Sequence, residues 1–201
     1  EGNLSFALRI YAGLAVFNFF AECMNRAPGL ILEQPNLVKK VVFPLEVLAW
    51  VNVSVAAVEL LESMGLLLAM SVLSLRGLSW SVLALPLVWL PLLPLCLGLS
   101  WLFSGLGTYV RDVGQVLGMA VGALMFLSPI FFPVEALPER VRGLMSLNPL
   151  ALVMSQTREV LLHGVWPQWS AMGLELLACV AVAVVGAAFF SVARKGFADV
   201  V

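Results

Sequence analysis

Apolar residues in this chain occur in long runs separated by short polar segments. A helix needs about 20 mainly apolar residues to cross a bilayer, and five runs meet that length. They cover residues 7–27, 44–75, 82–106, 113–132 and 169–192. Turn-forming pairs such as Pro28-Gly29 and Arg76-Gly77 separate them. The pattern predicts an all-α integral membrane protein with five transmembrane helices.

Two of these runs carry residues that shape helix packing. The third run contains prolines that would kink a membrane helix, at Pro86, Pro91 and Pro94. The fourth run has a glycine at every fourth position, at Gly114, Gly118 and Gly122. Glycines spaced by four lie on one helix face, so they predict the close approach of another helix, within the chain or in a dimer.

Residues 133–166 form neither a span nor a soluble-like loop. A short amphipathic piece at 138–145 is followed by the break Asn148-Pro149 and by a second short helix at 151–162. Each piece is too short to cross a bilayer. Trp166 and Trp169 then precede the last run, as interfacial anchors do. We expect 133–166 to form a re-entrant or interfacial helical hairpin.

The composition agrees with a membrane location and excludes several function classes. The chain is 62% hydrophobic and 11% charged, whereas soluble domains are about 25% charged. With a net charge of −1, no basic surface predicts a nucleic-acid partner. The three cysteines lie inside apolar runs, without the spacing of a disulfide framework or a metal site. The chain lacks a Walker A motif and a nucleophile motif for His163, so we predict no catalytic residue, metal or cofactor in it.

Two acidic residues lie within the second run. Glu59 and Glu62 are three residues apart and therefore share one face of a helix. Acids inside a membrane are costly and mark functional candidates. Three interpretations stay open: a polar wall facing a wet channel, a proton relay, or hydrogen bonds to a neighbouring helix.

Several ordered motifs resemble a known transporter family. The segment Asn36-Leu37-Val38-Lys39-Lys40, which leads to Pro44 and Glu46, is similar to a signature of the permease subunit of ABC type-2 polysaccharide exporters. These exporters move O-antigen, capsule or teichoic acid chains. Further similar stretches follow the family's order, at 13–22, 109–113, 128–133 and 147–150. The chain departs from the family pattern at Ala49, where a proline is usual, and at the two intramembrane acids.

The resemblance implies an architecture and a set of partners. Intact family members have six spans, so this chain would hold spans two to six, with the amino-terminal part missing, in a single transmembrane domain over 1–201. The implied protein is a homodimer in the inner (plasma) membrane, with membrane lipid around it. Its partner would be an ATP-binding cassette subunit that carries ATP and Mg. Its cargo would be lipid-linked polysaccharide, O-antigen foremost, moving through a pore between the two copies.

The resemblance also implies roles for particular residues. Segment 28–44 would be the cytoplasmic coupling segment that receives force from the ATPase, and 133–166 would shape the exit. The expected ATPase-coupling residues are Asn36, Leu37, Val38, Lys39 and Lys40. A cytoplasmic gate or second ATPase contact is expected at Tyr109, Arg111 and Asp112. Aromatic rings suit the apolar faces of sugars, and the expected glycan track comprises Phe17, Phe20, Phe126, Phe131 and Phe132.

Two alternatives to polysaccharide export remain. The first keeps the ABC class but replaces the cargo with a drug or a lipid. The second is a proton-coupled secondary transporter that uses Glu59 and Glu62 as a relay.

Overall fold

The computed structural model describes residues 3–39, 43–73, 79–130 and 148–197. These ranges contain eight α-helices, and no strand occurs in them. The helices are α1 (Asn3–Arg26), α2 (Pro35–Lys39), α3 (Val47–Leu73), α4 (Leu85–Trp89), α5 (Leu92–Tyr109), α6 (Val113–Leu127), α7 (Pro149–Arg158) and α8 (Trp169–Ala193). Short 3-10 turns follow α1, precede α4 and follow α8, and a π turn follows α7. The predicted all-α class is confirmed.

Four helical stretches are long and apolar enough to cross a membrane. They are Phe6–Gly29, Val47–Val72, Trp80–Tyr109 and Trp169–Gly196. The fifth predicted span corresponds to α6, which has 15 residues and is therefore about 22 Å long. That is shorter than the roughly 30 Å hydrocarbon core of a bilayer. The described residues thus support an all-α membrane protein, while the count of five crossings stays a prediction. Residues 131–147, the first half of the predicted hairpin, lie outside the described residues.

Helices α1 and α5 form the centre of the bundle. Helix α1 packs on α3, α6 and α7, and α5 packs on α8 and α3. The main core includes fully buried side chains of both central helices, such as Val16 and Met24 of α1 and Cys96 of α5. Most of α3 and α8 is exposed. In a bilayer those apolar outer surfaces face lipid. Because lipid tails are themselves apolar, this contact does not carry the free-energy cost that exposure to water would have.

The helical hydrogen bonding of the third run is interrupted at one of its prolines. The run divides into a 3-10 turn, α4 and α5, with the interruption at Leu90 and Pro91. Because Pro91 has no amide hydrogen, it cannot continue the hydrogen-bond ladder of α4. Both residues keep right-handed helical dihedral angles, so the predicted kink stays a prediction. The indole Nε1 of Trp89, the last residue of α4, donates to Thr157 Oγ1 at 3.0 Å and joins α4 to α7.

The closest helix crossing involves glycines of α5 and α8. A Cβ built on Gly98 would lie 2.6 Å from Ala183 Cα, and one built on Gly186 would lie 2.8 Å from Gly98 Cα. The glycine ladder that the sequence pattern singled out behaves differently. Within the described part of the chain, Gly118 and Gly122 of α6 have no atom within 4 Å of a built Cβ. The internal contact expected at these two glycines is thus absent there.

A buried amide connects three helices, near the end of α1 and the start of α3. Asn52 of α3 is 3% exposed. Its Nδ2 donates to Cys23 O of α1 at 3.0 Å and to Ser100 Oγ of α5 at 3.2 Å. Polar groups surrounded by hydrocarbon favour partners within the protein, so this residue sets how α1, α3 and α5 lie together.

Candidate functional site

The predicted coupling segment begins with a tight turn. Pro28 starts a 3-10 turn directly after α1 and is buried. The chain then folds back through a hydrogen bond from Glu33 N to Gly29 O at 2.9 Å. Helix α2 follows, with Asn36 exposed and Leu37 half-buried. The segment is thus a structured projection rather than an extended linker.

Of the two lysines in this segment, the structure describes only the backbone of Lys39. Val38 and Lys39 complete helix α2, whereas Lys40 lies outside the described residues. The coupling role of these residues, and that of Asn36 and Leu37, stays a prediction.

The second predicted site lies beside the first. Helix α5 ends at Tyr109 and α6 begins at Val113, and Arg111 and Asp112 between them are exposed. A Cβ built on Gly107 would lie 2.8 Å from Pro28 Cα, and one on Gly114 would lie 3.7 Å from Pro28 Cβ. The turn after α1 is therefore packed against the end of α5 and the start of α6. The fold brings the two segments that the resemblance assigned to ATPase contact to one end of the bundle.

The opposite end contains a buried arginine. Arg158, at the end of α7, is 8% exposed. Its Nε donates to Arg9 O at 3.1 Å, and its Nη2 donates to Ile130 O at 2.6 Å. Ile130 belongs to the buried turn that follows α6, where Asn148 Nδ2 also donates to Ser128 Oγ at 3.2 Å. Non-helical backbone is tolerated at membrane depth where protein groups satisfy it, and these bonds do so.

The described half of the predicted hairpin packs on the bundle. Ser81 Oγ donates to Val160 O at 3.1 Å, which fixes the π turn against the start of the third run. Gly164 ends that turn with φ 67°, a left-handed conformation that glycine adopts without a steric penalty. Since α7 is held by α1 and α4, it is a fixed part of this end of the bundle.

The roles of Arg158 and Asn52 were not predicted from the sequence. A usable signal exists for Arg158, because residues four and seven positions earlier, Met154 and Ala151, lie on the same helix face and are apolar. An arginine on an apolar face predicts a buried, bonded cation. For Asn52 the signal is a lone amide in the first half of an apolar run.

The predicted glycan-track residues are in different environments. Phe17 and Phe20 are 5% and 8% exposed and lie in the core of the chain, whereas Phe126 is 74% exposed. Phe131 and Phe132 lie outside the described residues. Phe20 also lines an apolar cavity of about 330 Å³ between α1, α5, α6 and α7. A single copy therefore does not align Phe17, Phe20 and Phe126 on one surface, and the track stays a prediction.

The two intramembrane acids are on the outer side of α3. Glu59 and Glu62 are both exposed. Neither carboxylate forms an ion pair or hydrogen bond with another residue that the structure describes. The proposed hydrogen bonds to a neighbouring helix are thus not formed within this part of the chain.

Metal-ligating residues do not gather in the described ranges. There, no group of three or more His, Cys, Asp or Glu side chains could hold a metal ion. Cys23, Cys96 and Cys179 are free thiols, and all three are buried.

Comparisons with known proteins show the family of this chain. A family model described as ABC-2 type transporter matches residues 4–162. The O-antigen export system permease protein RfbA of Klebsiella pneumoniae is 23% identical over 198 residues, which cover 98% of this chain and 76% of that protein. RfbA of Myxococcus xanthus is 25% identical over 199 residues, covering 97% of this chain and 76% of that protein. The polysialic acid transport protein KpsM of Escherichia coli is 26% identical over 167 residues, covering 81% of this chain and 63% of that protein.

The family match covers well over half of the chain, including the coupling segment, the 109–112 turn and α7. The long apolar helices of this chain are typical of a membrane-embedded subunit. The resemblance drawn from the motifs is confirmed: this chain belongs to the ABC-2 type transporter family and is a multi-pass protein of the inner membrane.

Proposed function

We propose that this chain is the transmembrane subunit of an ATP-driven exporter of lipid-linked polysaccharide, with O-antigen as the favoured cargo. Two copies would form the pore between them, and two ATP-binding subunits would drive it. The relatives named for O-antigen and polysialic acid transport support the cargo. The observation that carries the proposal is that the coupling segment and the 109–112 turn meet at one end of the bundle, through Pro28 and Gly107.

Among the residues that the structure describes, the charge distribution supports a cytoplasmic location for that end. Arg26, Arg111, Arg194 and Lys195 are all exposed there, and cytoplasmic loops of membrane proteins are rich in Lys and Arg. At the other end Arg158 is buried in internal bonds and so contributes little to orientation. Exposed tryptophans at that other end are typical of a membrane–water interface: Trp80, Trp166 and Trp169.

The chain would act by receiving force, since ATP and Mg would be bound by the partner subunit. That subunit would contact α2 and the exposed Arg111 and Asp112. A push on α2 would pass through the buried turn at Pro28, which is in van der Waals contact with α5 and α6. Close-packed interiors transmit such displacements because they have low compressibility. Helix α6, together with the turn at 128–130 that follows it, would make the fifth crossing.

At the outer end, the 133–166 hairpin would dip into the outer leaflet and shape the exit. Arg158 would anchor it by holding the turn after α6. The exposed Phe126 would contribute to the glycan track, facing the second copy. Rings that bind sugar weakly along a path favour movement of a polymer over tight retention.

Copurification and export assays test this proposal. The intact transporter should copurify from membranes with an ATP-binding subunit and should move lipid-linked glycan in an ATP-dependent manner. Lys39→Ala combined with Lys40→Ala should abolish the stimulated ATPase activity and export while membrane insertion persists. Arg26→Ala, which removes an exposed cation that pairs with Glu22 of its own helix, is the matched control and should retain both. Full export by the double variant, or a chain that binds no ATPase, would refute the proposal.

The relay alternative has its own test. Glu59→Gln combined with Glu62→Gln should leave ATP-driven export intact, because both acids are exposed away from the coupling end. Loss of a pH-dependent flux in this variant, without any need for ATP, would favour proton coupling instead.

A further inference from the structure

A second, small hydrophobic cluster lies beneath the coupling segment. Its centre comprises Ile31, Phe190 and Phe197, which are 0%, 1% and 0% exposed. The rings of Phe190 and Phe197 meet at a centroid distance of 5.5 Å and an interplanar angle of 70°. Leu45 and Leu48 also pack on this cluster. The cluster therefore joins the residues on both sides of α2 to the end of α8.

Glu46 is held at two points. Its backbone carbonyl accepts a hydrogen bond from Trp101 Nε1 of α5 at 3.1 Å. Its carboxylate forms an ion pair with Arg194, which directly follows α8. The residue that precedes α3 is thus bonded both to α5 and to the end of α8.

The same two helices are also joined to each other at this end. Tyr109 OH donates to Ala193 O at 2.7 Å. The Tyr109 ring lies 5.9 Å from that of Phe197. Further along, Gly98 and Gly186 bring the two backbones into direct contact. Helices α5 and α8 therefore form one packed pair from the 194–197 segment to the middle of the bundle.

We infer that the 194–197 segment, acting through Arg194 and Phe197, fastens the coupling segment to the α5–α8 pair, so that force received at α2 moves this pair as one body. Ile31 precedes α2 and Glu46 follows it, and both are anchored on α8 or its extension. Displacement of α2 therefore pulls on α5 and α8 from both sides. Arg194 and Phe197 are positioning residues in this inference, which depends on the proposed function.

The energetics favour an effect on transmission over an effect on folding. Arg194 and Glu46 are 47% and 34% exposed, and exposed ion pairs contribute little to stability. The bundle core does not depend on them, because its main cluster lies elsewhere. Loss of the ion pair should therefore leave the protein folded while it loosens the link between α3 and α8.

The test uses the full transporter with its ATP-binding subunit, reconstituted in liposomes of inner-membrane lipids. Arg194→Gln should lower the amount of glycan exported per ATP hydrolysed by about two- to fivefold, the range that an exposed ion pair supports. Exchange of the charges, Glu46→Arg with Arg194→Glu, should restore most of that ratio. Arg26→Gln is the matched control, because Arg26 pairs at 2.5 Å with Glu22 of its own helix and is similarly exposed at 49%.

Each outcome bears on the inference. An unchanged ratio in Arg194→Gln, or an equal fall in Arg26→Gln, would overturn it. If the wild-type complex itself exports no glycan with ATP, the proposed function fails instead, and the two failures are thereby distinguished.

A cross-linking measurement covers the case in which Arg194→Gln does not fold. Glu46→Cys with Arg194→Cys can be joined by a short bismaleimide, because the three native thiols are buried. Without the cross-linker this double variant lacks the ion pair and should show the lowered export per ATP. If the two positions move as one body, joining them should raise the ratio toward the wild-type value, whereas no gain or a further loss on joining would contradict the inference.

Discussion

The crossing of α5 and α8 at Gly98 allows a prediction with a defined sign. A methyl group on Gly98 would lie 2.6 Å from Ala183 Cα, 2.6 Å from Val182 O and 2.7 Å from Ala183 N, all of them backbone atoms. Ordinary carbon contacts begin at 3.4 Å. In Gly98→Ala the helices must therefore part by roughly 0.8 Å, since backbone atoms cannot rotate away as a side chain can.

Two opposing terms set the magnitude. Replacement of glycine by alanine in a helix stabilises by about 0.5–1 kcal/mol. Overpacking of a close contact costs about 1–3 kcal/mol, and a backbone-to-backbone contact belongs in the upper part of that range. We expect Gly98→Ala to lower the free energy of unfolding by about 1–2 kcal/mol, which corresponds to a fall in Tm of about 2–8 °C for a chain of this size.

Thermal unfolding of the detergent-purified transporter, followed by the loss of its monodisperse elution peak, measures this change. Gly173→Ala is the control, because it is a glycine of α8 whose built Cβ has nothing within 4 Å. That variant should melt at or slightly above the wild-type temperature, since only the helix term applies. The reasoning is refuted if Gly98→Ala melts at or above wild type, because the helices would then tolerate the added carbon.

Three further substitutions each remove the hydrogen bonds that one buried side chain donates. Arg158→Met leaves the carbonyls of Arg9 and Ile130 without the guanidinium donors. It should lower the free energy of unfolding by about 2–4 kcal/mol and accelerate limited proteolysis after α6. Unchanged cleavage would contradict the anchoring role. Asn52→Ala removes the hydrogen bonds to Cys23 and Ser100 and should lower stability by about 1–2 kcal/mol in the same thermal assay. Its control is Ser54→Ala, at an exposed position of the same helix, which should have no effect. Trp89→Phe removes the donor to Thr157 but keeps most of the ring; a loss of about 1 kcal/mol is expected, and a Tm equal to wild type would show that this bond is dispensable.

The helices themselves were largely predictable. The last predicted run, 169–192, agrees with the observed helix Trp169–Ala193 to within one residue at its end. Its boundaries are set locally, by a tryptophan at one side and Arg194 at the other. The second run was placed less well: α3 begins at Val47, three residues after Pro44. Hydrogen bonds from Val47 and Leu48 to the carbonyls of Pro44 and Leu45 form a separate turn before the helix.

The glycines illustrate what spacing alone leaves open. The regular series on α6 predicted a close contact within the chain or in a dimer; Gly118 and Gly122 make no internal contact in the described chain, so the dimer contact stays a prediction, while the internal crossing uses Gly98 and Gly186. Glycine spacing along one helix indicates which face lacks side chains and permits close approach. Which helix lies against that face depends on how all the helices pack. The same holds for Phe17 and Phe20, whose burial depends on α1 being central.

The sequence by itself determined that this is a helical membrane protein, roughly where its long apolar helices lie, and which transporter family it belongs to. These properties depend on local hydropathy and on short motifs, because a helix satisfies its own backbone hydrogen bonds. Only the tertiary structure decided that α1 and α5 are central, that Arg158 and Asn52 are internal bonding groups, and that Ile31 and Glu46, on either side of α2, contact the end of α8 through Phe197 and Arg194. Such contacts join residues far apart in the chain, and in lipid they depend on close packing and internal polar bonds, which apolar periodicity does not encode.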